Sequence, residues 1–251
     1  MNAAARPLAL SVIVPSWRDA DNLALLLPQL ARLEPIREVI VVEASDDLRA
    51  ESVVREAGAT FLRCSAPNRG AQMNVGAAFA SGDVLLFQHA DTEFTAAHTD
   101  AMLAALRDPL VIGGAFFRKF DARHPRLMWL EHVARSLTRH GGTLYGDQSV
   151  FVRREVFLRL TGFAQIPLME DVEFSRRLRR AGKIVVLDPP IKTSPRRHAR
   201  RGSWRTSLQN GLFIVLYKFG VSPHTLHRWY YGIAKKSGPR ATEVAAQTPA
   251  A

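Results

Sequence analysis

The run NRGAQMNVGAAFASGDVLLFQHAD, residues 68–91, passes from a loop into a helix, a strand and a polar turn without a break. Residues 70–80 are small and helix-compatible, and Gly82 falls just past their end, where glycine suits a helix stop. Residues 83–87 (DVLLF) form a continuous apolar run, the pattern of a strand buried on both faces. The chain then enters His89-Ala90-Asp91 directly. A helix that delivers a buried strand, with polar residues at its carboxyl end, predicts a parallel sheet wound from βαβ units.

The same alternation extends in both directions. Residues 10–14 (LSVIV) and 38–42 (EVIVV) are buried-strand runs, and TFLRC is a third short strand. Asp19 and Asp21 can cap a helix whose Leu23, Leu26, Leu27, Leu30 and Leu33 share one face. Pro28 is expected to kink that helix or to mark a later start. Residues 48–57 read as a helix ending at Gly58. Toward the C-terminus, a helix over about 95–107 precedes the strand GGAFFRKF (113–120). An amphipathic helix is expected over 126–138, then a loop around GGTLYGDQ and the strand SVFVR. Helices near 154–160 and 170–181 precede the strand KIVVL, and residues 203–219 form the final helix.

The chain has 251 residues, 47% of them hydrophobic, which suffices for a sizeable core and argues against global disorder. The net charge is +11, and it is uneven: residues 176–205 hold eleven Lys/Arg against a single acid, Asp188. Such a field attracts polyanions, whether nucleic acid, anionic lipid headgroups or the phosphates of a small substrate. Cys64 is the sole cysteine, so an intrachain disulfide is excluded, which suits a reducing cytoplasm. The opening MNAAARPLALSVIVP reads as a first strand rather than a signal peptide. No stretch reaches the ~18–20 apolar residues that span a bilayer. A cytoplasmic protein is expected, with peripheral contact to the inner membrane face as an addition. The helix 204–219, which joins Arg205 and Lys218 to Leu212, Phe213, Val215, Leu216 and Phe219, either makes that contact or docks on the core.

In open α/β sheets, ligands bind beyond the carboxyl ends of the strands. Pro15-Ser16, Glu43 and Asp91 all follow strands in this way. Asp91 is suited to a hard divalent ion that bridges phosphates, or it caps the next helix. His89, two residues earlier in an extended chain, points to the same side and can assist. Arg69 and the backbone N–H groups at the helix opening can meet phosphate, or form a solvated turn. Glu170 and Asp171 open a helix, where the dipole favours negative charge. They are either an ordinary acidic helix start or a general base that takes a proton from an attacking hydroxyl. The apolar residues Ile166, Pro167, Leu168 and Met169 would partly desolvate them. Tyr145, Asp147 and Gln148 precede a strand and either contact sugar or make a polar turn. RRHARRGSWR (196–205) either clamps a diphosphate, lies on lipid headgroups or is a solvated face.

Taken in order, these motifs resemble the family-2 glycosyltransferases of GT-A fold. SVIVPSWRDADNL is similar to the family's opening strand and helix. VVEASDD stands where the family has VVDDGSTD, 68–91 is similar to its run into an Asp-x-Asp metal motif, and EDVEFSRRLRRAG to its Glu-Asp base motif. The resemblance implies a mostly parallel central sheet flanked by helices, with a helical C-terminal extension. It implies one domain over 1–235, with a nucleotide-binding half about 8–110, an acceptor half about 111–200 and a C-terminal helix about 203–220; residues 236–251 would be a disordered tail. The implied activity is inverting transfer from a nucleoside-diphosphate sugar to a hydroxyl acceptor. Pro15, Ser16, Glu43, Arg69, Asn74, Ala90 and Asp91 would hold the donor. Asp91 with His89 would hold a divalent cation, Mn or Mg, weakly. Asp171 would be the base with Glu170 beside it, and Tyr145, Asp147 and Gln148 would meet the acceptor.

Two departures stand out. His89 occupies the place of the first metal-motif Asp, and Glu43-Ala44-Ser45 replaces Asp-Asp/Gly-Gly-Ser. A closer likeness is to a bacterial subgroup found alongside radical-SAM enzymes and arsenosugar pathways, with Q-M-N-x-G-A, H-A-D-T, Y-G-D-Q and P-L-M-E-D. A nucleotidyltransferase of related fold is the alternative enzyme, but PSWRDADN lacks the glycine-rich loop it would carry. The remaining alternative is a basic protein that binds nucleic acid or membrane without catalysis. Trp204 is the sole aromatic between Arg176 and Arg205, which disfavours nucleic acid.

Overall fold

The computed structural model describes residues 7–65, 67–119, 142–192 and 203–236. Strands β1 (Leu10–Ser16), β2 (Ile36–Glu43), β3 (Thr60–Arg63) and β4 (Val84–Phe87) alternate with helices α1 (Ala20–Leu30), α2 (Leu48–Glu56) and α3 (Arg69–Phe79). These strands pair in parallel as the βαβ pattern requires. Their register aligns the carboxyl ends. Ser16 stands opposite Glu43, and Glu43 opposite Arg63. Phe87 pairs with Ile13, so His89–Asp91 emerge level with the end of β1.

Helix α4 (Ala96–Leu106) leads to β5 (Val111–Lys119), followed by β6 (Val150–Arg153), α5 (Arg154–Arg159), α6 (Glu170–Ala181) and β7 (Lys183–Lys192). The sheet has seven strands in the order β3-β2-β1-β4-β6-β5-β7. β6 is inserted antiparallel between β4 and β5, and β7 lies parallel to β5. This crowded joint needs glycine. A Cβ on Gly114 would lie 2.2 Å from the Val185 carbonyl oxygen and one on Gly113 2.5 Å from that of Phe151, closer than any side chain tolerates.

Both faces of the sheet are covered, which explains the continuous apolar strands. Val12 and Val14 face Leu23, Leu26 and Leu30 of α1 and Met102 of α4. Ile13, between them, faces the opposite layer with Met73 of α3 and Phe174 and Leu178 of α6. Each such fully buried side chain contributes roughly 1.5–3 kcal/mol. The result is the expected mostly parallel α/β sheet flanked by helices.

Two expectations on local structure change. Helix α1 starts at Ala20 and contains Pro28 in its last turn, so the proline marks no later start. The helix α7 (Ser203–Lys218) is not the last, because α8 (Pro223–Lys236) follows it. Gly220, at φ 90°, turns the chain between them, and Pro223 sits at the first helical position, which suits its fixed φ. Phe213 and Leu226 of this pair pack against Met169, Val172 and Tyr145. The helix expected over 126–138 and the tail 237–251 lie outside the described residues. No helix among the described residues is long and apolar enough to cross a membrane.

Candidate active site

The ends of β1 and β2 are held together by buried polar groups. Glu43 is fully buried, and its carboxylate accepts from the Ser16 hydroxyl at 2.6 Å, the Ser45 hydroxyl at 2.7 Å and the backbone N–H groups of Ser45 at 2.9 Å and Arg18 at 3.2 Å. The Gln72 amide donates to the carbonyls of Ser16 and Val42 at 2.7 and 2.8 Å. Glu43 therefore organises the two loops at the strand ends; it was expected to touch the donor itself. Its extra methylene carries the carboxylate across to Ser16 and Arg18. Replacing Glu43 by Ala leaves buried donors unpaired, each worth ~1–3 kcal/mol, so a loss of about 2–4 kcal/mol is expected. Thermal melts test this, and a melting point within about 1 °C of the native protein's would refute it.

The centre of the site is Arg69, the first residue of α3. Asn68 caps this helix by accepting the Ala71 N–H at 2.9 Å, and donates to the Ile166 carbonyl at 3.3 Å. From there the Arg69 guanidinium reaches both acidic residues of α6. Its Nε donates to Glu170 Oε1 and its Nη2 to Asp171 Oδ2 at 3.1 Å. Its Nη1 lies 3.4 Å from His89 Nε2. Burial alone would pull the Arg69 guanidinium down, but the Glu170 and Asp171 carboxylates outweigh it and hold it above its ordinary value. Asp171 Oδ2 also accepts the Gly146 N–H at 2.8 Å. A Cβ on Gly146 would meet the guanidinium at 3.1 Å, so glycine lets this loop lie against Arg69.

Met169 adopts φ 70°, a left-handed turn that a non-glycine residue takes at a cost of about 1–3 kcal/mol. That turn starts α6 abruptly and aims Glu170 and Asp171 at Arg69. Glu170 is the more enclosed of the two, with a side chain 4% exposed against 14% for Asp171. Met73, Leu144, Phe163 and Phe174 line a small apolar pocket whose wall also includes Asp171. Burial, reinforced by Asp171 and Asp147, pushes the Tyr145 phenol up.

Residues 89–92 form a turn, not the extended chain expected, because the Thr92 N–H donates to the His89 carbonyl at 3.2 Å. Alternation along a strand therefore does not pair His89 with Asp91. Gln88 holds the turn from below: its amide donates to the Thr92 carbonyl at 2.7 Å and accepts from the Ser149 hydroxyl at 2.6 Å. Asp91 accepts from the Thr92 hydroxyl at 3.4 Å. It does not cap the next helix, whose N-cap is Thr95, paired with His98. Ala90 is buried and Pro15 partly buried at the neighbouring strand end.

Among the described residues no group of three or more His, Cys, Asp or Glu could hold a metal ion. His89 Nε2 faces the Arg69 guanidinium, which can only donate, so this ring nitrogen lies against a cation. Asp91 alone suits a hard ion, of the kind that keeps several waters and binds through one or two carboxylates plus substrate phosphates.

Other expected residues have different neighbours. Asn74 was expected on the donor, but its amide is occupied on both atoms by the backbone of Phe163, at 2.8 Å each. Gln148 is buried and accepts the Tyr145 N–H at 2.8 Å, which shapes the loop that was expected to meet the acceptor. Asp147 is paired with Arg118 of β5 at 2.6 Å. Arg118, Gln88 and Ser149 went unread in the sequence. The available signal was a charged residue inside the apolar strand GGAFFRKF and a glutamine closing DVLLF.

The sequence profile of the glycosyl transferase family 2 matches residues 11–159. That match is to the family at large and singles out no subgroup within it. No curated protein matches the chain. Among solved structures, residues 1–349 of S. aureus TarS share 20% identity at a TM-score of 0.60, covering 75% of this chain and 61% of that one. The mannosyltransferase PcManGT from Pyrobaculum calidifontis, in complex with GDP-Man and Mn2+, shares 19% at 0.65, covering 88% and 69%. Glucosyl-3-phosphoglycerate synthase from Mycobacterium tuberculosis, in complex with Mn2+, UDP and glucosyl-3-phosphoglycerate, shares 16% at 0.54, covering 74% and 70%. The chain thus spans about three fifths of the TarS piece, and at these identities the likeness is one of fold.

Proposed function

The chain belongs to glycosyl transferase family 2, and from that premise we propose that it transfers a sugar from a nucleoside-diphosphate donor to a hydroxyl acceptor with inversion. The observation that carries this reading is the reach of Arg69. One guanidinium joins the acidic start of α6 to His89 in the turn that bears Asp91, which supports reading the two candidate half-sites as one site. The nucleoside end of the donor lies against Pro15 and Ser16, over the loops that Glu43 organises.

In the proposed reaction the acceptor oxygen attacks the anomeric carbon as the bond to the diphosphate oxygen breaks. Asp171 takes the acceptor proton on its carboxylate. The Gly146 N–H and Arg69 fix Oδ2 of that carboxylate. Glu170, enclosed and engaged by Arg69, positions the guanidinium. The Nη1 edge of Arg69, on the His89 side, is the part available to the departing diphosphate. Asp91 would hold a divalent ion together with the donor phosphates, as the Mn2+ in the mannosyltransferase and synthase complexes suggests. Such an ion supplies charge neutralisation on the diphosphate.

A panel of nucleotide sugars, including UDP-GlcNAc and GDP-Man, tests the reading by thermal shift with and without Mn2+. A donor at 100 times its dissociation constant stabilises by about 2.7 kcal/mol, or roughly 5–10 °C. No shift with any nucleotide sugar, and no sugar release or transfer, would sink it.

A further inference from the structure

We propose that the outer face of the α7–α8 pair is a docking surface for an anionic lipid bilayer. The inner face of the pair is occupied, because Phe213 and Leu226 are buried against Met169 and Val172. Its outer face leaves large apolar side chains in solvent. Leu212, Val215 and Phe219 are 55%, 48% and 85% exposed, and their spacing of three and seven residues puts them on one side of α7. Lys218 is exposed on the flank of that stripe. On α8, Trp229 and Tyr231 are about half exposed beside the exposed Arg228. The exposed stripe of Leu212, Val215 and Phe219, with Lys218 on its flank, matches the interfacial zone of a bilayer.

The charge distribution decides the occupant. Residues 189–242 contain eleven Lys/Arg and no Asp or Glu, so the other 23 Lys/Arg balance the chain's 23 Asp/Glu. The whole net charge of +11 therefore belongs to the stretch that carries the apolar stripe. Among the described residues of the pair Lys218 and Arg228 are the exposed cations, and like charge disfavours a second copy of this chain on the same face. Nucleic acid could stack a base on Phe219 but would leave the exposed aliphatic Leu212 and Val215 without an apolar partner. An anionic bilayer satisfies both features, taking the apolar side chains below its headgroups and the cations at their level. The inner face packs on the residues flanking Asp171, so docking would hold the candidate cleft beside the membrane.

Co-sedimentation of the full chain with vesicles tests this without nucleotide or acceptor, so its outcome is separate from that of the transferase reading. Vesicles of phosphatidylcholine alone are compared with an equal mixture of phosphatidylcholine and phosphatidylglycerol. Binding to the mixed vesicles is expected, weakening as salt is raised. The double variant Leu212→Ser/Phe219→Ser should bind them about tenfold or more weakly, with an unchanged melting point since both side chains are exposed. Lys218→Gln/Arg228→Gln should lose several-fold on the mixed vesicles. The proposal is overturned by any of four results: no binding to the mixed vesicles, equal binding by the serine variant, tighter binding to a DNA duplex, or self-association that the serine substitutions abolish.

Discussion

Replacing Asp171 by Asn lowers the rate of sugar transfer by about 10²–10⁴ while donor affinity stays within a few-fold. The substitution keeps the shape of the side chain, and the amide oxygen can still accept the Gly146 N–H that Oδ2 accepts at 2.8 Å. What it removes is the capacity to take a proton. The loss should therefore fall on kcat, because the interaction is made as the acceptor hydroxyl attacks and not in the ground state. Glu170→Gln provides the contrast. Glu170 is enclosed and bonded to Arg69, so its loss should affect the melting point more than the rate. Steady-state transfer assays, with donor titrations on the same variants, separate the two carboxylates. Full turnover by Asp171→Asn would remove the base assignment, and a larger rate loss in Glu170→Gln would exchange the two roles.

Arg69→Ala should cost stability through electrostatics more than through packing. Two carboxylates, 4% and 14% exposed, would face each other without the guanidinium that now bonds both. Breaking a buried pair by removing one partner costs ~3–5 kcal/mol. The Arg69 side chain is 35% exposed, and solvent screening reduces the expected loss to roughly 2–3 kcal/mol. That corresponds to a fall in melting point of about 4–12 °C. Arg69→Lys restores the charge without the planar fork and should recover part of the stability. Equal melting points for the native protein and Arg69→Ala would contradict this account.

The same residue illustrates the limit of sequence reading. Arg69 was legible as a cation at a helix opening, expected to meet phosphate. Its partners stand 101 and 102 residues away, and nothing local announces that the guanidinium bonds the very carboxylates expected to do the acid–base work. Glu43 likewise was legible as a carboxylate after a strand, but not as a fully buried group accepting from Ser16, Arg18 and Ser45. His89 and Asp91 were legible as polar residues after β4, whereas the turn between them was not. Short apolar strands end without a signal for the path of the chain beyond them.

The amino-acid sequence by itself determined the alternation of strands and helices through α4, the strand ends that carry Ser16, Glu43 and Asp91, and the acidic start of α6. Those features follow from hydrophobic periodicity and from glycine, proline and capping residues, whose preferences act over a few neighbours. The tertiary structure alone decided the antiparallel entry of β6 between β4 and β5, the pairing of Arg118 with Asp147, and the bridge that Arg69 makes across the cleft. Periodicity states which face of an element is buried and is silent on which distant element covers it, so partners this far apart in the chain are chosen only when the sheet is assembled.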